Sequence, residues 1–135
     1  MYGTQCRPSI EKDAKLTRKT EMAMLRRSLG LSLLDHVENV EIRGRLGVAP
    51  ITDKIAEARL RWFGHVKRME SDSVAHSALL MPLPGTRPRG KPKQRWTDNI
   101  KKDLERAGLS PDDAADRSEW RRMIRQADPV IVIRE

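Results

Sequence analysis

Residues 82–95 constrain this chain more than any other stretch. Pro82, Pro84, Pro88 and Pro92 are four of the eight prolines in 135 residues. Proline has no amide donor and a fixed φ, so neither a helix nor a central strand survives that density. Between the prolines stand Gly85, Arg87, Arg89, Gly90, Lys91, Lys93 and Arg95. The expectation is an extended, exposed, basic loop. It divides the chain into residues 1–81, the loop at 82–95, and residues 96–135.

On both sides of the loop, apolar residues recur at helical spacing. Residues 1–13 lack that period and read as an irregular lead-in. Leu16, Met22, Met24, Leu25 and Leu29 predict a helix from Lys15 to Leu29, with Gly30 to end it. Asp35 is a good N-cap for a second helix, with Val37, Val40 and Leu46 inward and Gly47 beyond. Ile51, Ile55, Ala58, Trp62, Val66 and Met69 form one stripe of a third helix, capped by Thr52 or its predecessor, with Arg59, Arg61, Lys67 and Arg68 off it. Gly64 costs about 1 kcal/mol in a helix interior, so it marks close packing against a neighbour or a kink. A shorter helix is expected from Asp72 to Leu80.

After the loop, Trp96, Ile100, Leu104 and Ala107 predict a helix ended by Gly108. Ser110-Pro111-Asp112-Asp113 combines a capping serine, a proline at the first helical position and acids in the first turn. Asp116 or Ser118 can restart that helix, with Trp120, Met123, Ile124 and Ala127 on its apolar face. Val130 to Ile133 is a short apolar tail. The fold class is therefore mainly α: a small helical bundle of about five or six helices with a long Pro/Gly-rich basic loop.

The formal net charge is +8 and the sequence pI about 10.1. An excess of this size favours a polyanionic partner, nucleic acid before an anionic membrane surface. Cys6 is the only cysteine, which excludes an intrachain disulfide and a cysteine zinc site. No apolar run approaches the roughly 20 residues that span a bilayer, and no secretory pattern opens the chain. An intracellular protein is expected.

Little in the sequence carries bond-making chemistry. Two-metal enzymes need acids presented together on rigid elements. Asp112, Asp113 and Asp116 are the candidates, and they stand where a helix start favours acids anyway. His36, His65 and His76 are scattered, with no pair at metal-binding spacing. His65 reads as a boundary histidine that packs and hydrogen-bonds, with phosphate contact the sharper alternative. No catalytic group, metal site or cofactor is expected.

The best binding feature is the loop itself. Cations at nearly alternate positions can follow a phosphate backbone, with a salt-dependent affinity from counterion release. Pro88-Arg89-Gly90-Lys91-Pro92 also looks like a loosened minor-groove hook. Trp96 either stacks on a base or packs in the core, and its spacing with Ile100 and Leu104 favours the core.

Several strings then point to a family. Arg59-Leu60-Arg61-Trp62-Phe63-Gly64-His65-Val66-Lys67-Arg68-Met69 resembles the segment that follows the catalytic palm in reverse transcriptases of non-LTR (LINE-like) retrotransposons. So does Arg87-Pro88-Arg89-Gly90-Lys91-Pro92-Lys93-Gln94-Arg95-Trp96. Asp116-Arg117-Ser118-Glu119-Trp120-Arg121 looks like the family's terminal tryptophan helix. Tyr2-Gly3-Thr4-Gln5-Cys6 and Leu46-Gly47-Val48-Ala49-Pro50-Ile51 fit the variety encoded with an apurinic-type endonuclease, although Arg7 stands where that pattern usually has tryptophan.

The resemblance runs in order along nearly the whole chain. It implies a thumb-like segment at residues 1–81 and a C-terminal extension, truncated from a polymerase whose aspartates lie upstream. It implies a non-enzymatic fragment that grips template and primer, whether RNA, DNA or their hybrid. Arg87, Arg89, Lys91, Lys93 and Arg95 would touch the backbone, with Arg61, Lys67, Arg68, Lys101 and Lys102 in support. The family's chromosomal target implies the nucleus. The rival expectation is an interaction remnant that self-associates through apolar faces left by a missing palm, or a relic without selected function.

Overall fold

The computed structural model describes residues 3–82, 89–90 and 94–125. They are mainly helical, and no strand occurs among them. The α-helices are α1 (Glu11–Ser28), α2 (Asn39–Leu46), α3 (Ile51–Lys67), α4 (Val74–Leu80), α5 (Trp96–Ala107) and α6 (Arg117–Met123). Short 3-10 turns at Thr4–Cys6, Leu33–Asp35 and Pro111–Ala115 punctuate them. Most of the loop at 82–95, and the tail with Ala127 and Val130 to Ile133, lie outside the described residues.

Packing groups the chain into two compact units. Residues 10–55 form a smaller unit, and residues 3–9 with those from Ala56 to Arg125 form a larger one. In the smaller unit, α1 begins four residues earlier than its apolar period. The Asp13 carboxylate accepts the Ile10 N–H at 3.4 Å, which satisfies a free donor at the helix start. Asp35 is not the cap of α2. Its carboxylate instead accepts the Ser32 N–H at 2.6 Å and closes the 3-10 turn. That bond, with the Ser32 hydroxyl, holds the Asp35 carboxyl below its ordinary range.

The inward residue of α2 is Ile42, fully buried, whereas Val40 is 76% exposed. Glu21 on α1 ties this unit together. One oxygen accepts from Arg43 at 2.8 Å and the other accepts the Ile51 N–H at 2.9 Å. The start of α3 is therefore closed by a carboxylate from α1, not by Thr52.

The larger unit has a single apolar core of Leu60, Phe63, Ile100, Leu104, Ala114, Trp120 and Ile124. Trp120 is 0% exposed and its indole N–H donates to the Leu60 carbonyl at 3.1 Å. Its ring meets Phe63 at a centroid separation of 6.2 Å. The indole lies over Gly64, where an added Cβ would stand 2.3 Å from Nε1. This is the close approach that an interior glycine marks.

The buried face of α3 is rotated from the expected stripe. Ala56, Leu60, Phe63 and Val66 are buried, while Ala58 and Trp62 are half-buried. Arg59, expected on the polar side, is buried too, because Asp103 of α5 meets it with two hydrogen bonds at 2.7 and 3.0 Å. The bidentate pair offsets the cost of removing both charges from water.

The C-terminal helices follow their sequence signals closely. Gly108 ends α5 at φ 66°. Ser110 caps a 3-10 turn rather than a long helix, and Asp116 restarts the chain as the cap of α6. Trp96 lies against the core with its Nε1–H donating to the Gln5 carbonyl at 2.6 Å. It packs, as its spacing favoured.

Candidate nucleic-acid interface

The charge is not evenly shared. Residues 1–9 and 56–125 hold 17 Lys and Arg against 10 Asp and Glu, a net +7; the remaining residues hold 10 against 9, a net +1. Many acids of the larger unit are already committed. Asp103 holds Arg59 and Glu57 pairs with Arg61. Asp98 accepts the Arg95 N–H at 2.9 Å and Asp113 the Ser110 N–H at 2.7 Å. Asp116 accepts from the backbone of Ser118 and Glu119. Hydrogen bonds from the Ser118 hydroxyl and these two amides hold the Asp116 carboxyl below its ordinary range. Asp98, Asp113 and Asp116 close helix or turn starts, whereas Asp112 faces Lys67, and no cluster of metal-binding side chains occurs among the described residues.

Of the five loop cations, Arg87, Lys91 and Lys93 lie outside the described residues. Arg89 is exposed. Arg95 is half-buried and lines a mostly apolar cleft of about 340 Å³ with Trp62, Val66, Leu79 and Trp96. Lys101 and Lys102 are exposed on α5 and line neither this cleft nor the next. Lys67 stands 3.7 Å from Asp112.

Arg61 and Arg68 are brought together. They line a second cleft, of about 430 Å³, with Trp62, His65, Arg117 and Arg121. Trp62 belongs to both clefts, so the Arg95 end of the loop and the four-arginine cleft adjoin within one unit. Arg68 is fixed by donating Nη1–H to the Ala114 carbonyl at 2.5 Å. Burial, then the positive charges of Arg117 and Arg121, hold its guanidinium below its ordinary range, with Asp116 opposing. Arg117 and Arg121 are exposed and have no ion-pair partner among the described residues. His65 is exposed, its ring 5.4 Å from that of Trp62 and tilted by 47°.

Arg117 and Arg121 did not figure among the expected contacts. Their signal was present, because positions four apart on a helix share a face. The tryptophan between them marks that stretch of the helix as core packing. What their spacing alone lacked was the partner surface on α3.

Comparison with family models, with curated proteins and with solved structures finds no match for this chain.

Proposed function

We propose that this chain binds nucleic acid through the larger unit and performs no chemistry on it. The observation that carries the reading is the placement of charge. Seven of the eight net positive charges fall in one unit whose acids are largely held in caps and pairs. Exposed cations without carboxylate neighbours attract phosphates and release counterions on contact. The resemblance to the post-palm region of non-LTR reverse transcriptases gives the proposal its form: a non-catalytic, thumb-like fragment that grips template and primer. A nuclear location belongs to the same proposal. Among the described residues no helix is long and apolar enough to cross a membrane.

The test is binding to fluorescent single-stranded RNA, duplex DNA and an RNA–DNA hybrid across a salt series. Micromolar or tighter binding with a steep salt slope is expected. Neutralising Arg87, Arg89, Lys91, Lys93 and Arg95 to glutamine should flatten the slope on duplex DNA by about 4.5, at about 0.9 per phosphate contact. An unchanged slope removes the loop from the interface.

A second reading has its own observation. In the smaller unit, Leu33 and Leu34 are 78% and 83% exposed, and Leu16, Met24 and Val40 are exposed as well. So many large apolar side chains exposed in one small unit give a partner surface something to cover. Self-association through this unit predicts a concentration-dependent sedimentation coefficient that Leu33→Ser with Leu34→Ser abolishes. A monomer at all concentrations removes it.

A further inference from the structure

The four-arginine cleft has features that a general affinity for phosphate does not require. Its cations come from two helices far apart in sequence. Arg61 and Arg68 lie on or just beyond α3, and Arg117 and Arg121 on α6. Two of them have fixed partners: Arg61 pairs with Glu57 and Arg68 is anchored on the Ala114 carbonyl. The other two, Arg117 and Arg121, have no ion-pair partner among the described residues. Besides the buried Trp120, the cleft is lined by the rings of Trp62 and His65, whose centroids lie 5.4 Å apart. A free inorganic anion would need the charges but not the rings. A lipid headgroup would likewise need the charges but not the paired rings.

Charge and aromatic surface side by side match a nucleotide. Guanidinium forks suit phosphate oxygens, and a base presents a flat face to a ring. In a duplex that face is already occupied by the neighbouring base pairs, so ring stacking selects unpaired bases. Resting on the nucleic-acid reading above, we infer that this cleft receives one unpaired nucleotide of a single strand, its phosphates against Arg117 and Arg121 and its base against the Trp62 and His65 rings. The adjoining cleft at Arg95 and Trp96 shares Trp62 and leads back to the basic loop. The loop then holds backbone of any form, and the four-arginine cleft favours single strands.

The experiment compares the full chain with Arg117→Gln/Arg121→Gln, with Trp62→Leu, and with the control Lys12→Gln/Lys15→Gln on α1. Each binds oligo(U), oligo(dT) and a blunt duplex of equal length across a salt series. Circular dichroism melts check that the exposed arginine changes leave the fold intact. The arginine variant is expected to lose at least about tenfold in affinity for both single strands. Its salt slope on them should fall by about 1.4, two contacts at about 0.7 each. The duplex should lose less. Trp62→Leu should lose at least about fivefold on single strands, the lower end of one lost stack. Should Trp62→Leu melt early, quenching of the wild-type tryptophan emission by oligo(dT) but not by duplex replaces it.

Equal losses on single strand and duplex would overturn the unpaired-nucleotide assignment, as would single-strand binding unchanged by Arg117→Gln/Arg121→Gln. In either case, loss of binding in the loop variant keeps the broader reading in place. A folded wild-type chain that binds none of the three at low salt overturns that reading itself. Preference between oligo(U) and oligo(dT) tells RNA from DNA as the source of the strand.

Discussion

Gly64→Ala is expected to destabilise the protein by about 1–3 kcal/mol, and Gly64→Val by more, both through overpacking. The sign is the point of the experiment. In an exposed helix interior, glycine to alanine gains about 1 kcal/mol from helix propensity. Here the added Cβ would lie 2.3 Å from Nε1 of Trp120 and 2.7 Å from its Cδ1. Trp120 cannot withdraw easily. It is fully buried, packs against Phe63 and spends its only donor on the Leu60 carbonyl. Moving the ring breaks that hydrogen bond and opens space beside Ile124 and Leu104. Urea melts followed by circular dichroism decide the matter. A Gly64→Ala variant more stable than wild type would mean that the indole does not press on α3.

The second large effect concerns the pair between Arg59 and Asp103. Asp103→Ala is expected to cost about 3 kcal/mol, the lower end of what breaking a buried ion pair costs. The two side chains are only 10% and 11% exposed and share two hydrogen bonds. Removing the carboxylate leaves a guanidinium that water barely reaches. Replacing both partners by apolar residues, Arg59→Met with Asp103→Leu, should recover most of the loss, because the desolvation cost disappears with the charges. A double-mutant cycle measures the coupling. If the single change costs less than about 0.5 kcal/mol, the pair is solvated and α3 meets α5 through apolar contacts alone.

Both effects arise at positions whose meaning was only half visible in the residue order. Gly64 stood out as an anomaly in a helical run, and close packing was one of two explanations. Nothing in the string says which residue presses on it, since Trp120 lies 56 positions away. The burial of Arg59 is hidden in the residue order for a related reason. Helical periodicity shows that a face exists, but its edge is drawn by the neighbour that covers it. With Asp103 opposite, the covered arc of α3 extends to Arg59 and shifts from Ile51 and Ala58 toward Leu60 and Phe63. Val40 failed likewise: in an eight-residue helix one inward position suffices, and Ile42 holds it.

The local devices were legible from the start. Gly47 and Gly108 end helices in left-handed backbone, Ser110 and Asp116 cap, and Trp96, Ile100 and Leu104 share a face. Each depends on residues within a turn or two of one another, so the sequence alone determined these, together with the helical class and the excess of cations. The tertiary structure alone decided which cations are spent on partners and which have none among the described residues. Arg59 is spent on Asp103, and Arg68 on the Ala114 carbonyl. Arg117 and Arg121 line one cleft with Trp62 and His65, and Trp120, between them on α6, is seated over Gly64. A cleft of this kind is a property of two helices in contact, and packing that brings distant residues together is not written in the spacing of either.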